Sequence, residues 1–276
     1  MIFKDVSPCL QLQKFVYLYK LRHFLIPSHM ETFPKPYPAQ PEQCMIFYTR
    51  GKEIAHHPLS HQTHIRSGSI ISGQYTHRMD RSSASPELLF IMVVFKPGAL
   101  YRLTGIPQDE LVNRDIDLEA VFPEKASLVN RQLIDCSNYI NIIKIIENFL
   151  ISLASSVKNT ETRSDKIFDL MLWNNENFSL DHLAGQACLS ARQFERRSHL
   201  YFGICPKLYV RLARFNRSYR LRLQNPHLDW LSIALMCGYY DYQHMSKDYL
   251  KFANNTPNVL FNEENQSLER LLGINK

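Results

Sequence analysis

Two stretches near the end of this chain share one pattern, in which a short helix, a turn and a capped second helix follow each other. The first stretch runs from Ser179 to Arg197, and the second runs from Leu231 to Lys247, about 50 residues later. Each begins with an amphipathic segment that holds a small residue, Ala184 or Ala234, so that a second helix can cross closely over it. Such a repeat strongly limits the fold, because each copy buries its apolar face only against neighbouring elements.

The turns and caps of the two stretches also correspond. The chain is predicted to turn at Cys188 in the first stretch and at Gly238 in the second. Ser190 and Asp241 follow as predicted N-caps, because their side-chain oxygens can accept hydrogen bonds from amides of the first helical turn. Gln193, three residues after Ser190, predicts a capping box.

The helix ends complete the pattern. Each second helix has an apolar anchor four residues past its cap, Phe194 or Met245. Each then ends before Gly203 or Asn255, and glycine and asparagine are the residue types that tolerate the left-handed conformation at a helix end. A long helix from about Pro206 to Gln224 is predicted to join the two units rigidly, with its proline in the first turn.

A helix-turn-helix unit places the N-terminal side chains of its second helix in the major groove of DNA, where Arg pairs with guanine, Gln with adenine and Glu with cytosine. The predicted DNA-binding residues are Ser190, Arg192, Gln193, Glu195, Arg196, Arg197, Lys207, Arg211, Tyr242, Gln243, His244, Ser246 and Lys247. A plain helical bundle would use the same caps. Two matching units joined by a basic helix favour DNA binding over that alternative.

The distribution of charge supports the same interpretation. The 276 residues carry a formal net charge of +6, and residues 163–261 alone hold 13 Lys and Arg against 8 Asp and Glu. Within this part, Ser190–Asn225 contains nine basic residues and the single acid Glu195. A basic run is often only a solvated helix face, so it supports a nucleic-acid partner together with the repeat and not by itself.

These residues resemble the AraC/XylS family of bacterial transcription regulators. The resemblance lies in Leu189–Arg197, Phe202-Gly203, Pro206-Lys207, Tyr209, Arg214-Phe215, Ile233-Ala234, Cys237–Asp241, His244–Tyr249, Lys251-Phe252 and Thr256-Pro257. It implies a bundle of about seven helices over residues 165–261, with both recognition helices in successive major grooves of promoter DNA. It also suggests RNA polymerase, a small-molecule effector and a second copy of the chain as further partners.

Three positions depart from the family pattern. Ser198 stands where the family packs a large apolar residue, so we expect a weaker core in the first unit unless Leu200 compensates. Asn255 replaces a usual glycine. Glu195 lies on the predicted reading face, where a misplaced carboxylate would repel phosphate.

The first half of the chain predicts strands and then helices. Candidate strands are Cys44–Arg50, Ser69–Tyr75 and Leu88–Lys96, and the last is apolar throughout and therefore expected to be buried on both faces. A short helix is predicted at Ala99–Thr104, ended by Gly105. From about Glu119 the pattern becomes helical, with the apolar stripe Ile142, Ile146, Phe149 and Leu153.

We therefore predict an α+β chain of two domains. Residues 1–160 form a sensor or dimerisation domain, and residues 165–262 form an all-α tandem helix-turn-helix bundle. The segments Val94–Tyr101 and Glu110–Leu118 resemble the sensor of one subgroup of these regulators, which implies a β-rich, cupin-like barrel with helices behind it. Ser155–Ser164 is predicted as the linker, and the tail Asn262–Lys276 as loosely held.

An enzyme is the main rival class. No HExxH, P-loop, GxGxxG or GxSxG motif is present. The cysteines form no CxxC pair, and Cys188 and Cys237 are expected to be buried. We therefore predict no enzyme activity and no cofactor, with an enzyme domain linked to a DNA-binding domain as the alternative.

Two further features have ordinary explanations. The clustered His56, His57, His61 and His64 are expected in a surface loop and not at a metal site. The longest apolar run, Leu88–Phe95, is too short to span a bilayer, so we expect a cytoplasmic protein with no membrane partner.

Overall fold

The computed structural model describes residues 1–27, 34–157, 162–173, 179–271 and 273. Ten strands lie in this described part: β1 Ile2–Val6, β2 Val16–Leu25, β3 Lys35–Tyr37, β4 Cys44–Arg50, β5 Glu53–His57, β6 Gln62–Arg66, β7 Ser69–Ser72, β8 Met79–Ser83, β9 Glu87–Phe95 and β10 Asp115–Asp117. Short 3-10 helices lie at Leu10–Leu12 and Gln108–Leu111.

The same described residues contain twelve α-helices. Those before the predicted linker are α1 Ala99–Thr104, α2 Leu118–Val121, α3 Pro123–Ile134 and α4 Tyr139–Ala154. Those after it are α5 Arg163–Trp173, α6 Leu180–Gln186, α7 Ala191–Phe202, α8 Pro206–Gln224, α9 Trp230–Met236, α10 Tyr242–Ala253, α11 Pro257–Asn265 and α12 Leu268–Leu271. The chain is thus β-rich first and helical afterwards, as predicted.

The strands form two antiparallel sheets. One has six strands in the order β1-β2-β9-β4-β7-β10, and the other has four in the order β3-β8-β5-β6. The central strand β9 is buried on both faces, which confirms that prediction. Its side chains alternate between a core shared with α3 and α4, which includes Ile91, and a core on the opposite face, which includes Phe90.

Buried charges occupy much of the space between the two sheets. The Glu53 carboxylate accepts hydrogen bonds from the Tyr48 hydroxyl at 2.6 Å and from Arg81 Nε at 2.8 Å, and Arg66 Nη1 lies 3.4 Å away. Although burial opposes the charged form, Glu53 keeps the pKa of Arg81 above its usual value. This polar interior explains why β5, β6 and β8 lack the apolar alternation that predicts strands.

Several predicted elements agree closely with the structure. β4, α1 and α8 have the predicted bounds, and Gly105 ends α1 in the left-handed conformation at φ 73°. The predicted stripe of α4 is buried. The strand predicted to reach Tyr75 instead ends at Ser72, because Gly73 lies directly against the backbone of Leu111 and its N–H bonds to the Arg114 carbonyl at 3.1 Å.

The linker and the tail differ from the predictions. α5 begins at Arg163, inside the predicted linker, while residues 158–161 lie outside the described part. The tail begins inside α11, which continues to Asn265. Its Glu264 is buried. The carboxylate accepts a hydrogen bond from the Tyr219 hydroxyl at 2.9 Å and pairs with Lys35 at 3.3 Å.

The β-rich part and the helical part touch along several elements. Arg102 of α1 forms a buried ion pair with Asp165 of α5 at 2.7 Å. Arg220 of α8 pairs with Glu42 at 2.7 Å, and Glu42 also pairs with Lys20 of β2 at 2.6 Å. These contacts hold α5 and α8 against the β-rich part.

Within the described residues, every helix is too short or too polar to cross a bilayer.

Candidate nucleic-acid interface

The first helix-turn-helix unit consists of α6, a turn and α7. Ser179 caps α6 by accepting a hydrogen bond from the His182 amide at 3.1 Å. Ser190 caps α7 by accepting one from the Gln193 amide at 3.3 Å, and the Gln193 side-chain oxygen accepts one from the Ser190 amide at 2.9 Å. The predicted capping box is therefore present.

The second unit repeats this arrangement with carboxylate caps. Asp229 caps α9 by accepting a hydrogen bond from the Ser232 amide at 2.9 Å, and Asp241 caps α10 by accepting one from the His244 amide at 2.6 Å. The small residues Ala184 and Ala234 are both buried where the helices of each unit cross. The tandem repeat predicted from the sequence is thus confirmed at the level of backbone and caps.

The two turns use different residues for the same backbone conformation. Gly238 is left-handed at φ 79°, and Cys188 is left-handed at φ 56° in the matching place. The prediction of a buried Cys188 was wrong. Its left-handed backbone directs the side chain outward, where Arg163 Nη1 lies 2.7 Å from its sulfur, while the next residue, Leu189, packs on the core.

The end of α10 also corrects a prediction. The left-handed residue that ends the helix is Asn254, at φ 53°, and not Asn255. Asn255 instead donates a hydrogen bond from its side chain to Glu263 Oε1 at 2.9 Å, which ties the helix end to α11. In the first unit Gly203 is left-handed at φ 73°, as expected.

Ser198 is fully buried in α7, and its hydroxyl has a hydrogen-bond partner there. Its hydroxyl donates a hydrogen bond to the Ile204 carbonyl at 2.7 Å, which satisfies an acceptor just beyond the helix end. Leu200 is partly buried against the same core, as suggested for a compensating residue. The first unit is thus stabilised at this position by a hydrogen bond where the family pattern has apolar contact.

The predicted reading face of α7 is exposed. Arg192, Glu195 and Arg196 all project from it into solvent, as the predicted contacts with bases require. Gln193 is exposed too, but its side-chain oxygen is already used twice by Ser190, through the amide and the hydroxyl. A bidentate contact with adenine needs that oxygen, so Gln193 would have to give up the capping box to read a base.

The two other basic residues predicted to bind DNA near α7, Arg197 and Lys207, differ in their surroundings. Arg197 bends back along the helix, where its guanidinium lies over the Tyr201 ring and donates to the Tyr201 hydroxyl at 3.2 Å. Lys207, at the start of α8, is exposed. Lys207 can therefore reach a phosphate without breaking a contact, whereas Arg197 cannot.

On α10, Gln243 and Lys247 are exposed, and Tyr242 and Ser246 are half-buried. His244 is also half-buried, because its ring packs edge-on against Tyr239 at 5.3 Å and its Nε2 lies 3.3 Å from Arg214 Nη2. The second reading face thus offers an amide and an ammonium group, while the first offers two guanidinium groups and a carboxylate.

Sequence reasoning missed a cluster of buried charges behind α10, which we call the Asp248 cluster: Asp248, Arg211, Arg214 and Tyr239. Asp248 is fully buried and accepts hydrogen bonds from Arg211 Nη2 at 2.5 Å, Arg214 Nη2 at 3.2 Å and the Tyr239 hydroxyl at 3.1 Å. Arg211, predicted to bind DNA, therefore joins α8 to α10. The available signal was the position of Asp248, three residues after the buried anchor Met245 and so on the same inward face.

Other basic residues of α8 also have partners inside the protein. Arg217 donates to the Leu172 carbonyl at the end of α5 at 3.0 Å, and Arg222 lies over the rings of Trp230 and Phe261. Arg220 pairs with Glu42. Much of the basic run thus holds α8 to its neighbours, and the run overstates the number of groups available for phosphates.

Three of the four clustered histidines lie in strands, contrary to the prediction of a surface loop, and only His61 agrees with it. His56 and His57 lie in β5 and His64 lies in β6, while His61 lies in the turn between these strands at φ 53°. His57 is buried. Among the described residues, no group of three His, Cys, Asp or Glu side chains has the geometry of a metal site.

Comparison with known protein families identifies the type of domain that contains the two units. Residues 183–263 match the model of a helix-turn-helix domain, which spans both units described above. The C-terminal part of the chain is an AraC-type helix-turn-helix domain. Domains of this type bind DNA, so the protein is a DNA-binding transcription regulator. Residues 4–117 match a second model, the domain of unknown function DUF6597.

No curated protein sequence matches the chain. Among solved structures it is similar to ToxT from Vibrio cholerae, with 12% identity over 88% of this chain and 98% of that chain and a TM-score of 0.48. It is also similar to an AraC-type regulator from Chromobacterium violaceum, with 29% identity over 38% of this chain and 93% of that chain and a TM-score of 0.34.

Proposed function

We propose that the AraC-type domain binds two successive major grooves with α7 and α10, and that residues 1–160 sense a signal or dimerise while residues 165–262 bind DNA. The bases would be read by the exposed side chains of the two faces: Arg192, Glu195 and Arg196 on α7, and Gln243 and Lys247 on α10. The caps and the Asp248 cluster would position these helices without contacting bases.

The observation that carries the proposal is the rigid connection between two exposed reading faces. α8 has 19 residues and so spans about 28 Å, which is comparable with the roughly 34 Å turn of B-DNA. Its side chains bond to both neighbours, α5 through Arg217 and α10 through Arg211 and Arg214. A rigid connection of this length supports binding along one side of the duplex.

The test begins with an operator selected from random duplex DNA by the full chain. Arg196→Ala should weaken binding to that operator by about 1–3 kcal/mol, because an arginine that pairs with a base or phosphate is lost. Arg131→Ala is the matched control, since Arg131 is an exposed residue of α3 in the β-rich half. Equal affinities of wild type and Arg196→Ala would remove this face from the interface.

Salt dependence tests the interface as a whole. Binding should weaken steeply as the salt concentration rises, because each phosphate contact releases counterions from the DNA. The number of counterions released should nevertheless be smaller than the count of basic side chains in the domain suggests, since Arg211, Arg214, Arg217 and Arg220 are engaged inside the protein. An affinity that does not change with salt would contradict the proposal.

A cavity supports a small molecule as the signal. It has a volume of about 390 Å³ and lies between β2, β8 and β9 on one side and α8 on the other. Its lining combines apolar side chains such as Phe90 with the ion pairs Arg22–Asp5 and Arg81–Glu53. That combination fits a compact amphipathic molecule, and Asn216 of α8 contributes a buried carbonyl oxygen that lacks a hydrogen-bond partner in the protein.

Because α8 both lines the cavity and joins the two units, occupancy of the cavity would change how the units are held. A thermal-shift screen of aromatic and aliphatic carboxylates should find stabilising compounds, and Phe90→Ala should abolish the shift. A compound that stabilises wild type and Phe90→Ala equally binds elsewhere. No stabilising compound of either class would favour dimerisation as the role of the β-rich half.

A further inference from the structure

Four rings pack together at the edge of the four-stranded sheet, and we call them the imidazole stack: His57, His64, Tyr75 and His77. His57 of β5 lies between the ring of His64 at 5.0 Å and the ring of Tyr75 at 5.8 Å, with interplanar angles of 13° and 17°. His77 packs edge-on against both His57 and Tyr75. Three histidine rings therefore lie in one cluster, in which His57 contacts both of the others, away from the helix-turn-helix units.

Among the charges around the stack, Arg66 opposes protonation of His57 and Asp115 favours it. β6 contributes His64 and Arg66, the segment between β7 and β8 contributes Tyr75 and His77, and β10 contributes Asp115. Asp115 is already engaged, because it accepts hydrogen bonds from Arg66 Nε at 2.7 Å and from His64 Nε2 at 3.1 Å.

The pKa values follow from this setting. Burial alone would raise the pKa of Asp115, but Arg66 and the hydrogen bond from His64 lower it to about 2, so Asp115 stays charged and paired. Burial lowers the pKa of His57, and the nearby His64 and Arg66 lower it further. Burial also lowers the pKa of His77. The buried rings are thus neutral at neutral pH, and a proton on His57 would place a cation beside Arg66.

The stack is bonded to the segment that supports the first helix-turn-helix unit. Tyr75 lies in a stretch whose backbone pairs with residues 111–114: the Asn113 amide donates to the Gln74 carbonyl at 3.0 Å, and the Thr76 amide donates to Asn113 Oδ1 at 2.7 Å. A Cβ on Gly73 would come within 2.0 Å of the Leu111 carbonyl oxygen. The two stretches therefore cannot move independently.

Residues 108–112 then contact the end of α7. Gln108 is fully buried, where its side chain accepts a hydrogen bond from Gln43 at 2.8 Å. A Cβ on Gly203, the residue that ends α7, would lie 2.5 Å from the Gln108 carbonyl oxygen and 2.3 Å from a Val112 methyl. This close packing fixes the C-terminal end of α7 and leaves its exposed reading face uncovered.

We infer that the imidazole stack is a proton-sensitive switch that controls how firmly the β-rich half holds the first helix-turn-helix unit. Protonation of the stack separates its rings, displaces Tyr75 and loosens residues 108–114 from the end of α7. Because this contact orients α7 without covering its reading face, its loss weakens DNA binding at mildly acidic pH. The inference rests on the proposed function, since it assumes that α7 reads DNA.

The test uses His57→Phe, which keeps a stacked ring and cannot be protonated. Affinity of the full chain for its selected operator is measured at pH 7.5 and pH 5.5. Wild type should lose at least about fivefold more affinity between these pH values than the variant loses, the lower end of typical coupling between sites. The exposed His227 outside the stack serves as control, and His227→Gln should keep the wild-type dependence on pH.

Unfolding without DNA separates the two proposals. A histidine whose pKa is lowered by folding is neutral in both the folded and the unfolded state well above about pH 6.5. As the pH falls below about 6.5 the unfolded chain binds the proton more readily, so the free energy of unfolding declines. The decline should be smaller in His57→Phe, and His77→Phe provides the same comparison if His57→Phe does not fold. A wild type that binds no operator at pH 7.5 contradicts the proposed function, while the unfolding comparison still tests the stack. Equal pH dependence of wild type and variant in both measurements overturns the switch.

Discussion

The two helix-turn-helix units have the same backbone plan but are stabilised by different chemistry. In the first, Phe194 stacks on Phe168 of α5 at 4.8 Å, and Ser190 and Gln193 close a capping box. In the second, the buried carboxylate of Asp248 binds two arginines and a tyrosine. The comparison shows that the motif specifies helix crossing and turn geometry, while the interactions behind each reading helix vary independently.

The two units also differ in what they are attached to. The end of α7 packs on the β-rich half, through Gly203 against Gln108 and Tyr201 against Gly98. α10 is held mainly through α8, by the Asp248 cluster. The Ala39 amide of the β-rich half also donates to the Phe252 carbonyl of α10 at 2.9 Å, so a signal in the β-rich half reaches the first unit by close packing and the second unit through this hydrogen bond and through α8.

The largest difference between the units should appear when Asp248 is removed. Asp248→Ala leaves Arg211 and Arg214 without their buried partner, and breaking a buried ion pair in this way costs about 3–5 kcal/mol. Urea unfolding measures the loss. The matched control is Asp181→Ala, an exposed acid in the first turn of α6, which should cost less than about 1 kcal/mol. Similar losses for the two variants would mean that the Asp248 cluster does not stabilise the second unit.

A smaller effect is expected at Ser198 of the first unit. Ser198→Ala removes the donor to the Ile204 carbonyl and leaves that acceptor in a buried site, which costs about 1–3 kcal/mol. Ser246→Ala, at a half-buried site of α10, should change the free energy of unfolding by less than about 0.5 kcal/mol. If Ser198→Ala is as stable as wild type, the hydrogen bond to the Ile204 carbonyl does not stabilise the first unit.

The sequence predicts the elements whose signals are local. Caps, turns and helix stripes depend on a few neighbouring residues, so the capping box at Ser190 and the bounds of α8 agree with the structure. The strands with charged inward side chains, such as β5 with Glu53, gave no apolar alternation because their partners lie on other strands.

In the candidate site too, features that depend on neighbouring residues could be predicted, and features that depend on distant residues could not. Exposure of Arg192, Arg196 and Lys247 follows from helix periodicity, and the structure places all three in solvent. The role of Arg211 could not be predicted, because it depends on Asp248, which is 37 residues away along the chain. Charge counting treats an arginine in a buried pair and an arginine in solvent alike, so the basic run of α8 suggested more DNA contacts than its geometry allows.

The smallest effect is expected in the turn between the two helices of each unit. Cys188 of the first unit occupies the same place there as Gly238 of the second. A left-handed residue that carries a Cβ costs about 1–2 kcal/mol, and glycine avoids this cost but raises the entropy of the unfolded chain. Cys188→Gly should therefore stabilise the protein by less than about 1 kcal/mol, whereas Gly238→Ala should destabilise it by about 1–2 kcal/mol. Cys188→Ala separates backbone from side chain, because it keeps the Cβ and removes the sulfur beside Arg163. If Cys188→Ala is stabilised as much as Cys188→Gly, the thiol and not the left-handed backbone distinguishes the two turns.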